Sequence, residues 1–343
     1  MDPISMLKTL FPSRSERYSA TLPGAQKATP SASTFGPAII MGGASRSPNH
    51  FQMFKVDPMM LAQFGGGGGS GGGQSETTLT RLTGTSGPLV GDANTHAIAR
   101  WNQHVKVGNG SVVEASGRAN VLTGATSTVT VTGDIDSTIR VGNQSVVISG
   151  EGNDLIIGGT SVAVRGGNGN DRIMVGDGST VTGDQGNDII TAGSLSVVDG
   201  GTGNDTITAG VGSTIMGGDG HDTIKLEGPA SGTDFTPSKI VGGEGDDTIF
   251  VSNAAADIEY SRGDGNDIIK GDLSNSTLNL KDARPTDVSF SQVTTGAGTD
   301  LVISFAGTSD TITIKSASAA SNGDFLITFR GGAQATLAEL MAP

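Results

Sequence analysis

The chain has no cysteine, which excludes disulfides and thiolate metal sites together. Aromatic residues are scarce, at 4% of 343 residues. No apolar run approaches the roughly 20 residues that span a bilayer as a helix, so no transmembrane segment is expected. The first residues, MDPISMLKTLFPSRSER, include an acidic second residue and no long apolar stretch, which is not the pattern of a cleavable signal peptide. Basic residues are in the minority, 21 Lys and Arg against 34 Asp and Glu, giving a net charge of −13. That balance disfavours nucleic acid and anionic membrane as partners and favours cations. No His-Glu-x-x-His motif and no nucleophile elbow occurs, so the chain is not expected to be an enzyme. His50, His96, His104 and His221 show no ligand spacing, and with cysteine missing zinc is not the expected metal.

What the chain has in excess is glycine, 55 residues without the three-residue period of collagen. Residues 1–74 read as a disordered tail, rich in Ser, Thr, Pro and Ala and ending in the flexible linker FGGGGGSGGGQ. Within it Lys8, Arg14, Arg17, Lys27, Arg46 and Lys55 outnumber Asp2, Glu16 and Asp57. The acidic excess therefore belongs to the remainder, and the charge shift marks a boundary. The apolar patch Val56–Phe64 reads as a sticky stretch of the tail. Residues 75–260 read as a repeat region, with its regular core over about 100–260, and residues 261–343 as a β-rich cap.

The repeat is exact in places. Asp154, Asp171, Asp188, Asp205 and Asp222 lie 17 residues apart, and two positions after each stands Ile156, Ile173, Ile190, Ile207 or Ile224. Stepping back by the same interval extends this column to Ile139, Leu122 and Val105. A second column half a repeat away holds Val147, Val164, Val181, Val198 and Ile215, and extends back to Thr130, its one polar member, and Val113. Both columns resume at Ile240 and Ile249 after an insertion of eight residues around GPASGTDFTPSK. A period near 20 residues indicates a solenoid. The alternation of 8 and 9 residues between columns fits two short strands and two turns per coil, with alternate residues facing inward. Nine such coils would stack into a rod roughly 40 Å long. The expected class is all-β: a right-handed parallel β-roll or β-helix with a β-rich C-terminal cap and a disordered amino-terminal tail.

One row of turns reads GEGND, GGNGND, GDQGND, GGTGND, GGDGHD and GGEGDD. Glycine permits torsions that side chains block, so successive carbonyls can turn toward one spot while the closing carboxylate adds charge. Several hard oxygen donors at one place are what calcium takes, and magnesium's tighter octahedron makes it second choice. The candidate ligands are Asp154; Gly166, Gly167, Gly169 and Asp171; Gly183, Gly186 and Asp188; Gly200, Gly201, Gly203 and Asp205; Gly217, Gly218, Gly220 and Asp222; Gly242, Gly243, Gly245 and Asp247. His221, at the variable position of GGDGHD, is expected to face solvent.

GGNGNDRIM (166–174), GGTGNDTIT (200–208), GGDGHDTIK (217–225) and GGEGDDTIF (242–250) resemble the nonapeptide of repeat-in-toxin, or haemolysin-type calcium-binding, proteins, a repeat whose calcium binding in a β-helix is general knowledge. The resemblance covers roughly residues 145–270. It implies calcium (Ca2+) as the ligand of these turns. The family's roll carries the Gly-Asp turn on both edges, whereas here the opposite turns read IGGTS, VGDGS, AGSLS and AGVGS. A single row of ions is therefore expected, up to about five shared between six turns. Thr160, Ser179, Ser194 and Ser213 on the other edge are expected to bond backbone groups across coils. RGDGNDIIKGD (262–272) and the segments after it are similar to the haemolysin-type calcium-binding-related C-terminal domain, which implies that Asp267 caps the ion row.

These readings lead to a secreted, extracellular, non-enzymatic protein whose roll folds on binding calcium. The resemblance implies export by a bacterial type I system through an uncleaved C-terminal signal. The Ser/Pro-rich amino terminus and harpin-like composition leave open the type III route and a host-directed effector or pore-associated protein. A calcium-dependent adhesin or matrix protein that binds a host surface or polysaccharide is a third reading. Asp57-Pro58 is the kind of bond cut in calcium-triggered self-processing proteins, but one dipeptide is a weak motif.

Overall fold

The structure, a computed structural model, describes residues 79–84, 87–229, 236–317 and 324–341. The expected tail and linker, the Val56–Phe64 patch and Asp57-Pro58 lie outside the described residues. Short segments rich in Thr, Val and Ile, such as Thr128–Thr132 (TVTVT) and Thr206–Gly210 (TITAG), become strands, because branched side chains suit a pleated, half-buried surface. Their burial alternates residue by residue. As far as Thr277–Leu280, consecutive strands along the chain fall alternately into two sheets, each of 14 strands in all among the described residues. Neighbours within a sheet are therefore one coil apart and parallel. The result is an all-β parallel solenoid of about 11 turns with a spacing near 17 residues.

The core is two facing columns of aliphatic side chains. One sheet stacks Val147, Val164, Val181, Val198, Ile215, Ile240 and Ile258 in register. The other stacks Ile139, Ile156, Ile173, Ile190, Ile207, Ile224 and Ile249. All are essentially inaccessible to solvent. The 25-residue coil closes as expected, Ile215 opposite Ile240 and Ile224 opposite Ile249.

Two members of the expected columns are wrong. Val121, not Leu122, lies between Val105 and Ile139, and Leu122 is 44% exposed. Val129, not Thr130, lies between Val113 and Val147. The coils before residue 139 are of 16 and then 18 residues, since Val105 pairs with Val121 and Val121 with Ile139. Two successive departures of opposite sign cancel, so a constant step missed one rung and landed correctly on the next.

The parallel ladders extend beyond the regular core in both directions. Thr80–Thr83 and Thr95–Ala99 pair in parallel ahead of it. Past residue 260, Asn266–Gly271, Thr277–Leu280, Thr311–Ile314 and Leu326–Phe329 continue both sheets in parallel. Antiparallel pairing begins only at the end: Val288–Thr295 on Gly298–Phe305, which pairs with Thr311–Ile314, and Gln334–Thr336 on Leu326–Phe329. These returns change the sheet-edge pattern; Phe325, Phe305 and Leu337 are buried there, Phe305 stacking on Tyr260 with ring centroids 4.9 Å apart. A short helix, Leu337–Leu340, is capped by Thr336 and Glu339.

Val121→Ala should destabilise the protein by about 2 kcal/mol, the usual cost of emptying a packed core site. Leu122→Ala should cost less than about 0.5 kcal/mol, as for an exposed side chain. Chemical denaturation of both variants checks the register; equal losses would overturn it.

Candidate metal centre

Parallel stacking in register places each turn aspartate over the next. Every one of them is buried. The backbone N–H of Asp154 donates to Asp171 Oδ1, Asp171 to Asp188, Asp188 to Asp205, Asp205 to Asp222, Asp222 to Asp247, and Asp247 to Asp267, at 2.7–3.0 Å. One oxygen of each carboxylate thus works as a rung between coils. The other oxygen does not. Oδ2 of Asp171, Asp188, Asp205, Asp222 and Asp247 is buried without a hydrogen-bond partner.

The glycines give those oxygens their surroundings. A Cβ at Gly166, Gly183, Gly200, Gly217 or Gly242 would sit 2.0–2.4 Å from the Oδ2 of the aspartate five residues on. At the first four it would also sit 2.4–2.8 Å from the carbonyl oxygen of the matching glycine in the next coil. Yet none of these five has a positive φ. They are glycine for space, not for torsion. The third glycines of the turns, Gly169, Gly186, Gly203, Gly220 and Gly245, differ. Their φ lies between 127° and 137°, and a Cβ would meet the previous coil's carbonyl oxygen at 1.9–2.1 Å. Gly167, Gly201, Gly218 and Gly243 also have positive φ, and Asp184 takes the same position in its turn with φ 75°.

Burial dominates the electrostatics of the row. It pushes Asp188 and Asp222 up to about 6, Asp171 and Asp205 to about 7, and Asp247 to about 8, against the inter-coil N–H bonds that favour the charged form. Neighbouring carboxylates add to the rise at Asp171, Asp205 and Asp247. Asp267 is raised to about 7, again chiefly by burial. Asp154 also rises, to about 6, but it differs in kind: its Oδ1 accepts from Ser137 N–H and its Oδ2 from the Ser149 hydroxyl.

A second ladder runs outside the first and was missed in the sequence. The N–H of Asn153 donates to Asp136 Oδ1, and Asn170, Asn187, Asn204 and His221 each donate to the preceding side chain of the column. Asp246 N–H donates to His221 Nδ1, and Asn266 N–H to Asp246 Oδ1. His221 is exposed, as expected, but is also a rung. The signal was available as the polar residue before each Asp, Asn in most coils and His221 or Asp246 in two. Asp199, directly before Gly200, was missed too; burial and the nearby Asp184, Asp222 and Asp219 raise it to about 7.

The opposite edge is closed by hydroxyls. Val162 N–H donates to Ser179 Oγ, Ser179 to Ser196, Ser196 to Ser213 and Ser213 to Ser238, at 3.1–3.3 Å. Ser179 and Ser213 stand where expected. Thr160 and Ser194 do not: the buried members of their coils are Val162 and Ser196, two positions on.

Among the described residues no three His, Cys, Asp or Glu side chains converge as a metal cluster. The acidic donors are instead distributed one per coil, and the remaining oxygens near each are backbone carbonyls. No protein-family model matches the chain, and no curated protein matches it. The donor set therefore has to be judged on its chemistry. Oxygen-only donors, unpartnered buried carboxylate oxygens, and a space that a methyl group would fill suit a hard cation. The residues that could hold one are Asp171, Asp188, Asp205 and Asp222 with the Gly183, Gly200, Gly217 and Gly242 carbonyls, and Asp247 at the end of the row.

A buried aspartate whose folded pKa is raised binds its proton more tightly folded than unfolded. Its contribution to stability is then complete below the unfolded value near pH 4 and is lost as pH rises through the folded one. In chelator, the melting temperature should fall as pH rises from about 4 toward 8. The fall should be steepest between about pH 4 and 6, where the unfolded carboxylates have lost protons that the folded ones keep, and should level off as the folded groups titrate. Melting curves across that range check it, and stability that rises with pH would contradict it.

Proposed function

We propose that the chain is a non-enzymatic calcium-binding repeat protein whose β-roll completes its folding outside the producing cell. The observation that carries this reading is the row of five buried carboxylate oxygens without partners. At neutral pH such groups must be protonated, exposed or paired with a cation, because a bare buried charge costs several kcal/mol or more. Calcium suits the site better than magnesium: it accepts carbonyl and carboxylate oxygens at about 2.3–2.6 Å in flexible geometry, whereas magnesium keeps its water and a strict octahedron.

The aspartates would supply charge and the glycine carbonyls further oxygens, while glycine leaves room between them. Bound calcium supplies charge compensation and a link between adjacent coils. Its binding free energy then adds to folding free energy, as in other metal-coupled modules. Extracellular calcium modules typically bind at about 10⁻⁴–10⁻³ M, so a roll of that affinity stays unloaded in the cytosol and loads outside. The likeness of the turns to the haemolysin-type nonapeptide supports the same reading, and with it export by a type I system.

In chelator at neutral pH the far-ultraviolet circular dichroism should show reduced β signal and a lowered melting temperature. Millimolar calcium should restore both, and equal magnesium should not. Asp188→Ala should bind at least one ion fewer. Identical spectra and melting curves in chelator and calcium would sink the proposal.

A further inference from the structure

The glycine that opens each turn belongs to a column that runs the length of the solenoid. Upstream the column is filled: Ala115 pairs with Val131, and the pairing of Thr130 with Ile148 places Ser149 over Val131. The pairing of Ile148 with Arg165 then places Gly166 over Ser149. Gly183, Gly200, Gly217 and Gly242 follow in the same way. The pairing of Val241 with Glu259 puts Tyr260 over Gly242, and Tyr260 itself pairs with Leu280. Ala115, Val131, Ser149, Tyr260 and Leu280 are all buried.

The column facing it changes in step. Opposite the filled upstream positions stand Ala119 and Ser137, with no charge to compensate. Opposite the glycines stand the aspartates with unpartnered Oδ2. Ser149 falls at the junction. It faces a carboxylate, that of Asp154, but fills the glycine space and gives that carboxylate a hydroxyl donor. Asp154 is accordingly absent from the unpartnered set, although it continues the same ladder. At the far end the Tyr260 ring is buried and its hydroxyl donates to the Gly265 carbonyl.

We infer that Ser149 is a plug that ends the cation row, so that Asp154 is a structural rung and not a ligand. The ion-dependent coils then begin at Gly166, on a stack of coils that bury no carboxylate before Asp154 and need no metal. This inference rests on the calcium-binding reading of the same turns. Because the opening glycines have no positive φ, a serine there meets no torsional barrier. Its Cβ does require the carboxylate and the neighbouring carbonyl to move aside, as they have at Ser149, so a plug within the row displaces the oxygens that would hold an ion.

Equilibrium dialysis of the full chain with radiolabelled calcium at saturation counts the ions. Ser149→Gly should bind one ion more per chain than the wild type. Gly183→Ser, the reciprocal change within the row, should bind one fewer. An unchanged count in a folded Ser149→Gly overturns the inference, and so does an unchanged count in Gly183→Ser, which decides the matter should the first variant fold poorly. A wild type that binds no calcium overturns the calcium reading itself, and is told apart from either result by its own count.

Discussion

A parallel solenoid repeats whatever its coil contains. When a coil of constant length places an aspartate inside a turn, the next coil places another directly above it, one strand spacing away. Here that column is buried, so desolvation and mutual repulsion both oppose ionisation. The remaining features of the row answer this constraint. Each carboxylate spends one oxygen on the N–H of the coil before it. The opening glycine leaves room beside the other oxygen, and the third glycine lets the turn pass against the carbonyl of its neighbour.

The two edges of the roll show how different the outcome is when the stacked group is neutral. On the serine edge the hydroxyl accepts an inter-coil N–H, as the carboxylate does on the other. A hydroxyl carries no charge, and its own proton finds a nearby carbonyl, Gly176 for Ser179, Ser194 for Ser196 and Gly193 for Ser213. The aspartate edge makes the same backbone bond and is left with an oxygen that the protein does not satisfy. A buried polar atom without a partner costs about 1–3 kcal/mol, and more when charged. On the proposed reading, such an edge would be stabilised by protons or cations, a dependence the serine edge would not share.

Most of the architecture was legible because the period is written in residue types. Ile at one column and Val at the other identified two strands per coil, and the 25-residue coil announced itself by the resumption of both. Legibility failed where coil length varied. Leu122 and Thr130 were assigned inward by a constant step, and only the pairing of 16- and 18-residue coils turns Val121 and Val129 inward instead. The continuation of the parallel ladders past Tyr260 was hidden by longer and interrupted coils, and by a hairpin inserted between Thr277–Leu280 and Thr311–Ile314. In the candidate site the aspartates and glycines were plain. The distinction among the glycines was not, since sequence alone does not separate glycine required for torsion from glycine required for space. Ser149 looked like an ordinary residue before GEGND, and its hydroxyl bond to Asp154 appears only when the coil is closed.

The central claim is that the unpartnered carboxylate row is completed by a cation on one edge only. A crystal structure of the full chain grown in millimolar calcium near neutral pH, with anomalous scattering to locate the ions, tests it most directly. The account predicts ions beside Oδ2 of Asp171, Asp188, Asp205 and Asp222 and none along Ser179, Ser196 and Ser213. Carboxylates that remain bare in calcium, or ions along the serine edge, would contradict it.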